Sequence, residues 1–180
     1  TTSTDWFAPD PCTWYGVSCL SGHVAGLQLP SNNVTGSLPA SIGDLTYLVN
    51  FSMQSNSIAG PIPAQIGQMT ALYTMMFTGN SLSGPLPTEI GNLDNLGQLF
   101  LGSNNITGPL PASLGDMDSL FWLELSYNDI EGTIPAEIGS LATLEGLHLM
   151  GNLLTGNIPS EFGNLGLLTV LTLSSNALDG

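Results

Sequence analysis

The sequence lacks basic residues altogether. It has no lysine or arginine against 14 aspartates and glutamates, so its formal net charge is −14. Only His23 and His148 could form a salt bridge with an acidic side chain. Because nothing neutralises phosphates, the composition argues against binding of nucleic acid and of anionic membrane surfaces. A charge of this sign favours solubility and neutral or cationic partners.

Long apolar runs are also missing from the chain. None reaches the roughly 18 residues that a membrane span requires. The chain opens with neither an initiator methionine nor a signal peptide, so we interpret it as a mature or trimmed form. Disorder is not expected, because the apolar residues are both abundant, at 42%, and strongly patterned.

Cysteine is nearly absent: Cys12 and Cys19, in the stretch PCTWYGVSC, are the two that the sequence contains. They lie close together among turn-forming residues, which favours a disulfide bond in an oxidising compartment. A zinc site is the alternative, but it would need two more ligands nearby, and the stretch lacks them.

What the sequence has in abundance is a repeat. The segment SNNVTGSLPASIGDL at 31–45 returns as SNSIAGPIPAQIGQM at 55–69, and four more copies follow at the same spacing of 24 residues. Six full units cover 24–167, and a partial seventh covers 168–180. Because the end of a stacked array exposes its apolar interior, we expect that further repeats or a second cap follow Gly180, or that another molecule covers this end.

Each unit has a physical interpretation when it is numbered from Val24 as position 1. Positions 4 and 6 are apolar around a variable residue, which predicts a short strand. Position 9 is always asparagine, which can bond the backbone as the chain leaves the strand. Glycine at position 13 indicates a tight bend, and proline at position 16 an irregular segment or edge strand. Apolar positions 19 and 22 suit one helical turn, and stacked units would share one parallel sheet.

The pattern LxxLxLxxNxLxGxIPxxLGxL resembles the plant-type extracellular leucine-rich repeat, and PCTWYGVSC resembles the N-terminal cysteine cap of that family. The resemblance covers 12–180 in seven in-phase copies. It implies an α/β solenoid, a right-handed superhelix with a concave parallel β-sheet and short helical turns on the convex side, with 1–23 as the cap. It also implies extracellular recognition, as in receptor-kinase ectodomains and polygalacturonase inhibitors.

On the concave sheet, positions 3, 5 and 7 should point to solvent, with positions 2 and 8 beside them. Large side chains gather there on units three to six, whereas the first two units offer small or polar groups. Exposed aromatic and methionine clusters usually mark contact sites. We therefore predict a ligand-binding site formed by Tyr73, Met76, Phe100, Phe121, Trp122, Glu124, Tyr127, Glu145, His148 and Met150. Two alternatives stay open: these side chains only cover neighbouring leucines, or they form a monomer–monomer contact.

Glu124, His148 and Thr172 follow one another at position 5, in the order of a carboxylate–histidine–hydroxyl relay. An open sheet offers neither an oxyanion hole nor a deep pocket, so we interpret the row as hydrogen-bonded surface residues and expect no enzymatic activity. Glu124, Glu145 and His148 are also metal-ligating types, but a scattered trio is weak evidence for a metal. We expect no metal and no cofactor.

Three N-glycosylation sequons begin at Asn33, Asn50 and Asn105. In a secreted protein we expect them to carry glycans, although the asparagine and threonine positions of the repeat would also generate such triplets by coincidence. Asn33 and Asn105 share position 10, on one lateral edge. Asn50 belongs to the concave sheet of unit two, so glycans at these sites would leave units three to six free.

The leading hypothesis is a non-catalytic extracellular module that binds a protein, peptide or small ligand on the concave face of units three to six. The alternative is a structural adhesion, matrix or biofilm protein whose neutral faces associate. The missing lysine and arginine suit it, because trypsin-like proteases then find no cleavage site. Ice binding along a flat column is a weaker hypothesis, because position 12 is too broken for a lattice match: Thr35, Ala59, Ser83, Thr107, Glu131, Thr155 and Asp179.

Overall fold

The computed structural model describes residues 9–179, so residues 1–8 of the predicted cap and Gly180 lie outside it. One sheet runs the length of the described chain and presents the concave face. Its strands, numbered in chain order, are β1 (Val17–Leu20), β2 (His23–Gln28), β4 (Asn50–Ser52), β6 (Thr74–Met76), β8 (Gln98–Phe100), β10 (Trp122–Glu124), β12 (Gly146–His148) and β14 (Val170–Thr172). From β2 to β14 every pair is parallel, and each residue pairs with the one a full repeat further on. The predicted parallel sheet is confirmed.

The interior is filled by the side chains that the repeat makes apolar. On β10, Leu123 is fully buried, whereas Trp122 and Glu124 on either side of it point outward and are half-buried. Burial of such a leucine stabilises a fold by about 1.5–3 kcal/mol. Leu171 holds the same position on β14 but is 41% exposed, because within residues 9–179 no strand pairs with the outer edge of β14.

The convex side consists of short 3₁₀ helices that begin one residue after each position-16 proline. Their apolar side chain at position 19 points inward, and the glycine after it lets the next repeat pack closely. A Cβ added to Gly91 would lie 2.5 Å from the carbonyl oxygen of Ser113. These helices are Ala40–Asp44, Ala64–Gln68, Thr88–Asn92, Ala112–Asp116, Ala136–Ser140 and Ser160–Asn164. No helix within residues 9–179 is long and apolar enough to cross a membrane.

A second sheet, which the sequence analysis did not predict, covers one flank of the solenoid. Its parallel strands occupy positions 10 to 14 of the repeat: β3 (Thr35–Gly36), β5 (Ser57–Gly60), β7 (Ser81–Gly84), β9 (Asn105–Pro109), β11 (Asp129–Thr133), β13 (Leu153–Asn157) and β15 (Ala177–Asp179). The position-13 glycine is the last residue of β3, β5 and β7 and lies inside β9, β11 and β13, with a φ of +73° to +98° from Gly36 to Gly156. The predicted bend is therefore a local change of direction within or at the end of a strand, which a side chain would strain.

The position-9 asparagines form a ladder that joins each repeat to the one before it. Asn104 is 8% exposed. Its Oδ1 accepts a hydrogen bond from the Leu82 N–H at 3.0 Å, and its Nδ2 donates to the carbonyl oxygens of Phe77 at 3.0 Å and Leu101 at 2.9 Å. The same pattern recurs from Asn56 to Asn176. The predicted backbone bonds are confirmed, although full burial is limited to the three central rungs: Asn104, Asn128 and Asn152.

The described part of the cap closes the N-terminal end with a hairpin and a disulfide bond. β1 pairs antiparallel with β2 and becomes the edge strand of the concave sheet. A short 3₁₀ helix, Pro11–Thr13, precedes β1, and the Asp10 carboxylate accepts a hydrogen bond from the Cys12 N–H at 2.9 Å. Cys12 and Cys19 are bonded to each other, which confirms the predicted disulfide.

Candidate functional site

The ten residues that the sequence analysis singled out, from Tyr73 to Met150, are called the concave patch below. They lie on and beside β6, β8, β10 and β12, which are consecutive strands of the concave sheet. Met76 pairs with Phe100, Phe100 with Glu124, and Glu124 with His148. Because neighbouring strands lie about 4.8 Å apart, the patch is a continuous surface rather than a set of separate side chains.

Trp122 lies flat on the sheet because the neighbouring repeat has a glycine beneath it. A Cβ added to Gly146 would lie 2.7–2.8 Å from three consecutive atoms of the six-membered ring, Cδ2, Cε3 and Cζ3. Nearly equal distances to adjacent ring atoms mean that one face of the indole rests on Gly146. The ring is therefore half-buried, and its opposite face is the one available to a ligand. His148 stands beside it, with the ring centroids 5.1 Å apart and the planes inclined by 31°.

Phe121 and Tyr73 meet across another glycine at position 2. A Cβ added to Gly97 would lie 2.6 Å from Cε1 of Phe121 and 3.0 Å from Cε2 of Tyr73. The two ring centroids are 6.3 Å apart and the planes are inclined by 44°, a usual geometry for an aromatic pair. Tyr73 is 47% exposed and Phe121 is half-buried. Gly97 thus allows two rings from alternate repeats to form one aromatic surface.

Tyr127 occupies a position whose backbone conformation is unfavourable for a large side chain. Its φ is +57°, in the left-handed region. Other repeats place serine or glycine at this position, for example Ser103 and Gly151. The Tyr127 ring lies over Gly151, where an added Cβ would be 2.8 Å from Cδ1, and its hydroxyl is 3.8 Å from the Met150 sulfur. The left-handed φ is common to position 8 of every repeat, so what distinguishes Tyr127 is a large side chain that is 57% exposed.

The carboxylate–histidine–hydroxyl row at position 5 is brought together, with a hydrogen bond between the histidine and the hydroxyl and a longer contact between the histidine and the carboxylate. His148 Nδ1 is 3.1 Å from Thr172 Oγ1 and 3.9 Å from Glu124 Oε2. Glu124 Oε1 accepts a hydrogen bond from the Ser126 N–H at 2.7 Å. His148 Nε2 is buried and has no hydrogen-bond partner within residues 9–179. In the same range, no three His, Cys, Asp or Glu side chains form a group that could hold a metal ion.

The large side chains of the patch are less exposed than the sequence analysis expected. Tyr73, Tyr127 and Glu145 are exposed, whereas the other seven are half-buried: Met76, Phe100, Phe121, Trp122, Glu124, His148 and Met150. For Phe121 and Trp122 the cause is packing against glycines of adjacent repeats, Gly97 and Gly146. Sequence reasoning missed Gly97, Gly146 and Gly151 because it examined the large residues alone. Comparing equal positions in adjacent repeats would have revealed them.

The three sequons lie where the repeat numbering puts them. Asn33 and Asn105 are exposed on the flank, and Asn105 is the first residue of β9 in the second sheet. Asn50 is half-buried and is the first residue of β4 in the concave sheet. All three are outside the concave patch.

Leucine-rich repeat models match residues 70–130 and 143–165 of the chain. The curated Receptor-like protein 5 of Arabidopsis thaliana is 38% identical over 45 residues, which are 25% of this chain and 17% of that protein.

Three solved structures share the fold. PEPR1–AtPEP1 is 36% identical with a TM-score of 0.92, covering 93% of this chain and 24% of that chain. The leucine-rich repeat ectodomain of the Arabidopsis receptor kinase HAESA, in complex with an IDA peptide hormone ligand, is 35% identical with a TM-score of 0.89, covering 98% and 30%. A plant ice-binding protein is 27% identical with a TM-score of 0.86, covering 98% and 66%.

The chain spans about a sixth of its curated relative and between about a quarter and two thirds of these solved chains. The repeat and the solenoid agree with these similarities. The chain therefore has the leucine-rich repeat fold and is similar in sequence and structure to the ectodomains of plant receptors.

Proposed function

We propose that the concave patch, on repeats three to six, binds a segment of a peptide or protein and that the module performs no chemistry. The observation that carries the proposal is the aromatic surface itself, in which Trp122 lies flat over Gly146 and the rings of Phe121 and Tyr73 meet at Gly97. Rings fixed in this way lose little conformational freedom on binding, and buried aromatic anchors supply most of the energy of many interfaces.

Tyr127 gives independent support. The other repeats have serine or glycine at position 8, and only repeat five places a large, exposed aromatic ring there. The HAESA ectodomain, which this chain resembles over 98% of its length, is described with a bound peptide hormone. A peptide or protein ligand is therefore the class of partner that we propose for this module.

The proposal of a non-catalytic role follows from the arrangement of the row at position 5. Glu124, His148 and Thr172 stand on an open sheet, so water has free access to any bound group. The Glu124 carboxylate is engaged with the Ser126 N–H and is 3.9 Å from His148 Nδ1. Catalytic constellations need preorganised donors in a site that excludes water, and these residues do not supply one.

The test is a selection of random dodecapeptides displayed on phage against the full chain, followed by calorimetry with the selected peptides. Trp122→Ala should weaken their binding by at least ~2 kcal/mol while leaving stability nearly unchanged, because the ring faces outward. Gln28→Ala and Ser52→Ala, at position 5 of the first two repeats, are the matched controls. Equal losses for all three variants would place binding elsewhere and contradict the proposal.

We also propose that Asn33, Asn50 and Asn105 carry N-linked glycans in the secreted protein. All three lie outside the concave patch, so the glycans would leave the patch open. Mass spectrometry after enzymatic deglycosylation in heavy-oxygen water should mark each asparagine by its conversion to aspartate. Unmarked asparagines at all three sites would show that the triplets arise from the repeat pattern alone.

A second candidate function is ice binding, which is favoured by the similarity to a plant ice-binding protein over 98% of the chain. In the first four repeats, the outward residues of the second sheet at positions 10 and 12 are small and uncharged. In later repeats Asp129, Glu131 and Asp179 interrupt this surface. Thermal hysteresis at millimolar protein would support ice binding, and its absence, together with unmodified ice crystal shape, would remove this candidate.

A further inference from the structure

We propose that the concave patch recognises a basic side chain, an arginine or lysine of the peptide ligand, held between the Glu145 carboxylate and the indole of Trp122. The proposal rests on the peptide-binding function proposed above and names the chemistry that this site selects.

The backbone places Glu145 next to the part of the sheet that the indole of Trp122 covers. The Glu145 N–H donates a hydrogen bond to the Phe121 carbonyl oxygen at 2.9 Å, so these two residues are direct neighbours at position 2. Trp122 follows Phe121 in the chain and lies on Gly146, which follows Glu145. The indole of Trp122 is therefore the ring beside Glu145, whereas the Phe121 ring leans the other way, over Gly97.

Glu145 and Glu124 differ in what they can offer a ligand. Glu124 is half-buried and already engaged with the Ser126 N–H. Glu145 is exposed, and its carboxylate has no hydrogen-bond or ion-pair partner within residues 9–179. Because the chain contains no lysine or arginine, a strong cationic partner for this carboxylate has to come from another molecule.

A cation suits the indole as well as the carboxylate. The face of an indole or phenyl ring attracts guanidinium and ammonium groups, and Trp122 keeps one face free because the other rests on Gly146. A guanidinium stacked on a ring can still donate hydrogen bonds to a carboxylate in its own plane. A net charge of −14 adds a long-range attraction that speeds the approach of a basic peptide.

The experiment extends the dodecapeptide selection with one pair of matched variants. Glu145→Gln and Glu137→Gln each remove one negative charge, the first beside the indole and the second on the exposed convex helix Ala136–Ser140. Selected peptides are resynthesised with an amidated C-terminus, and also with arginine replaced by citrulline or lysine by acetyl-lysine. The pair separates local recognition from general attraction to an acidic protein.

We expect arginine or lysine in the peptides whose binding depends on Trp122. Neutralising the arginine or lysine of the peptide should weaken binding by at least about tenfold, and so should Glu145→Gln in the protein. Glu137→Gln and amidation of the peptide C-terminus should change the affinity by less than about twofold. Equal losses of affinity for the two glutamate variants would overturn the recognition of a basic side chain but not the peptide-binding site. Selection of Trp122-dependent peptides without basic residues would have the same meaning. Failure to select any Trp122-dependent peptide would overturn both the basic-residue inference and the proposed peptide-binding function, and saturable binding of cellohexaose would then assign the rings to a neutral glycan.

Discussion

The interior of the solenoid and its concave face are made by alternate residues of the same strands. The interior residues are the same in successive repeats, whereas the residues of the concave face differ from one repeat to the next. Inside, Leu99, Leu123 and Leu147 repeat without change, and each is fully buried. Outside, the residues beside them are Phe100, Glu124 and His148 in turn. Positions that recur hold neighbouring repeats together, and positions that differ give each repeat its own surface. Stability and recognition should therefore be separable by substitution.

The largest separation is expected at Leu123. Leu123→Ala should lower the free energy of unfolding by about 2–5 kcal/mol, because it leaves a cavity in a fully packed interior. Peptide affinity, measured on the folded fraction, should stay within about twofold. Leu171→Ala is the matched control, since that leucine has the same repeat position but is 41% exposed. Urea unfolding that gave equal losses at both sites would show that the interior is not packed as described.

The ladder should come second. Asn104→Ala removes the acceptor of the Leu82 N–H and the donor to two carbonyl oxygens, leaving buried backbone groups unpaired at a cost of about 1–3 kcal/mol. Asn105→Ala, in unglycosylated protein, changes the exposed neighbour and should cost less than about 0.5 kcal/mol. Indistinguishable melting temperatures for the two variants would mean that the ladder contributes nothing measurable.

On the concave face, Gly146→Ala tests the flat orientation of the Trp122 indole without removing the ring. The new methyl group would lie 2.7–2.8 Å from the indole, so the ring must shift. We expect peptide affinity to fall by about tenfold, which is about 1.4 kcal/mol, with little change in stability because the ring can move into solvent. Gly163→Ala, where an added Cβ meets nothing within 4 Å, is the control. Unchanged affinity would show that the flat orientation is irrelevant to binding.

The smallest effect should have the opposite sign for stability. Tyr127→Gly relieves a φ of +57° and should raise the free energy of unfolding by about 0.5–1 kcal/mol, because glycine adopts this region without strain. The same change should weaken binding of those peptides that contact repeat five. Ser103→Gly, at the same position one repeat earlier, should give a similar gain in stability without the loss of affinity. A less stable Tyr127→Gly protein would mean that the ring stabilises the fold through Gly151.

The fold could be predicted from the sequence because seven copies report the same positions. Leu123 and Asn104 have the same neighbours as their equivalents, so their periodicity identified the inward face directly. The second sheet escaped prediction because its strands contain glycine and proline, as at Gly108 and Pro109, which strands usually avoid.

The location of the candidate site could be predicted from the sequence, but the orientation of its side chains could not. Repeat positions predicted which residues lie on the concave strands, such as Trp122 on β10. They did not predict that the indole lies flat, because that depends on Gly146 in the next repeat rather than on Trp122 itself. The exposure of a large side chain on a sheet is decided by the size of its lateral neighbours.

The asparagine ladder also defines the size of change that the molecule tolerates. Every rung joins backbone groups 22 or 27 residues earlier to a side chain, so no rung reaches past the preceding repeat. Removal or duplication of a whole 24-residue unit would leave each remaining rung with an equivalent partner. A single inserted residue would shift one strand out of register, and the ladder hydrogen bonds on both sides of it would lose their partners. Length can thus change freely in whole repeats, and the number of repeats between two surface features becomes an adjustable distance.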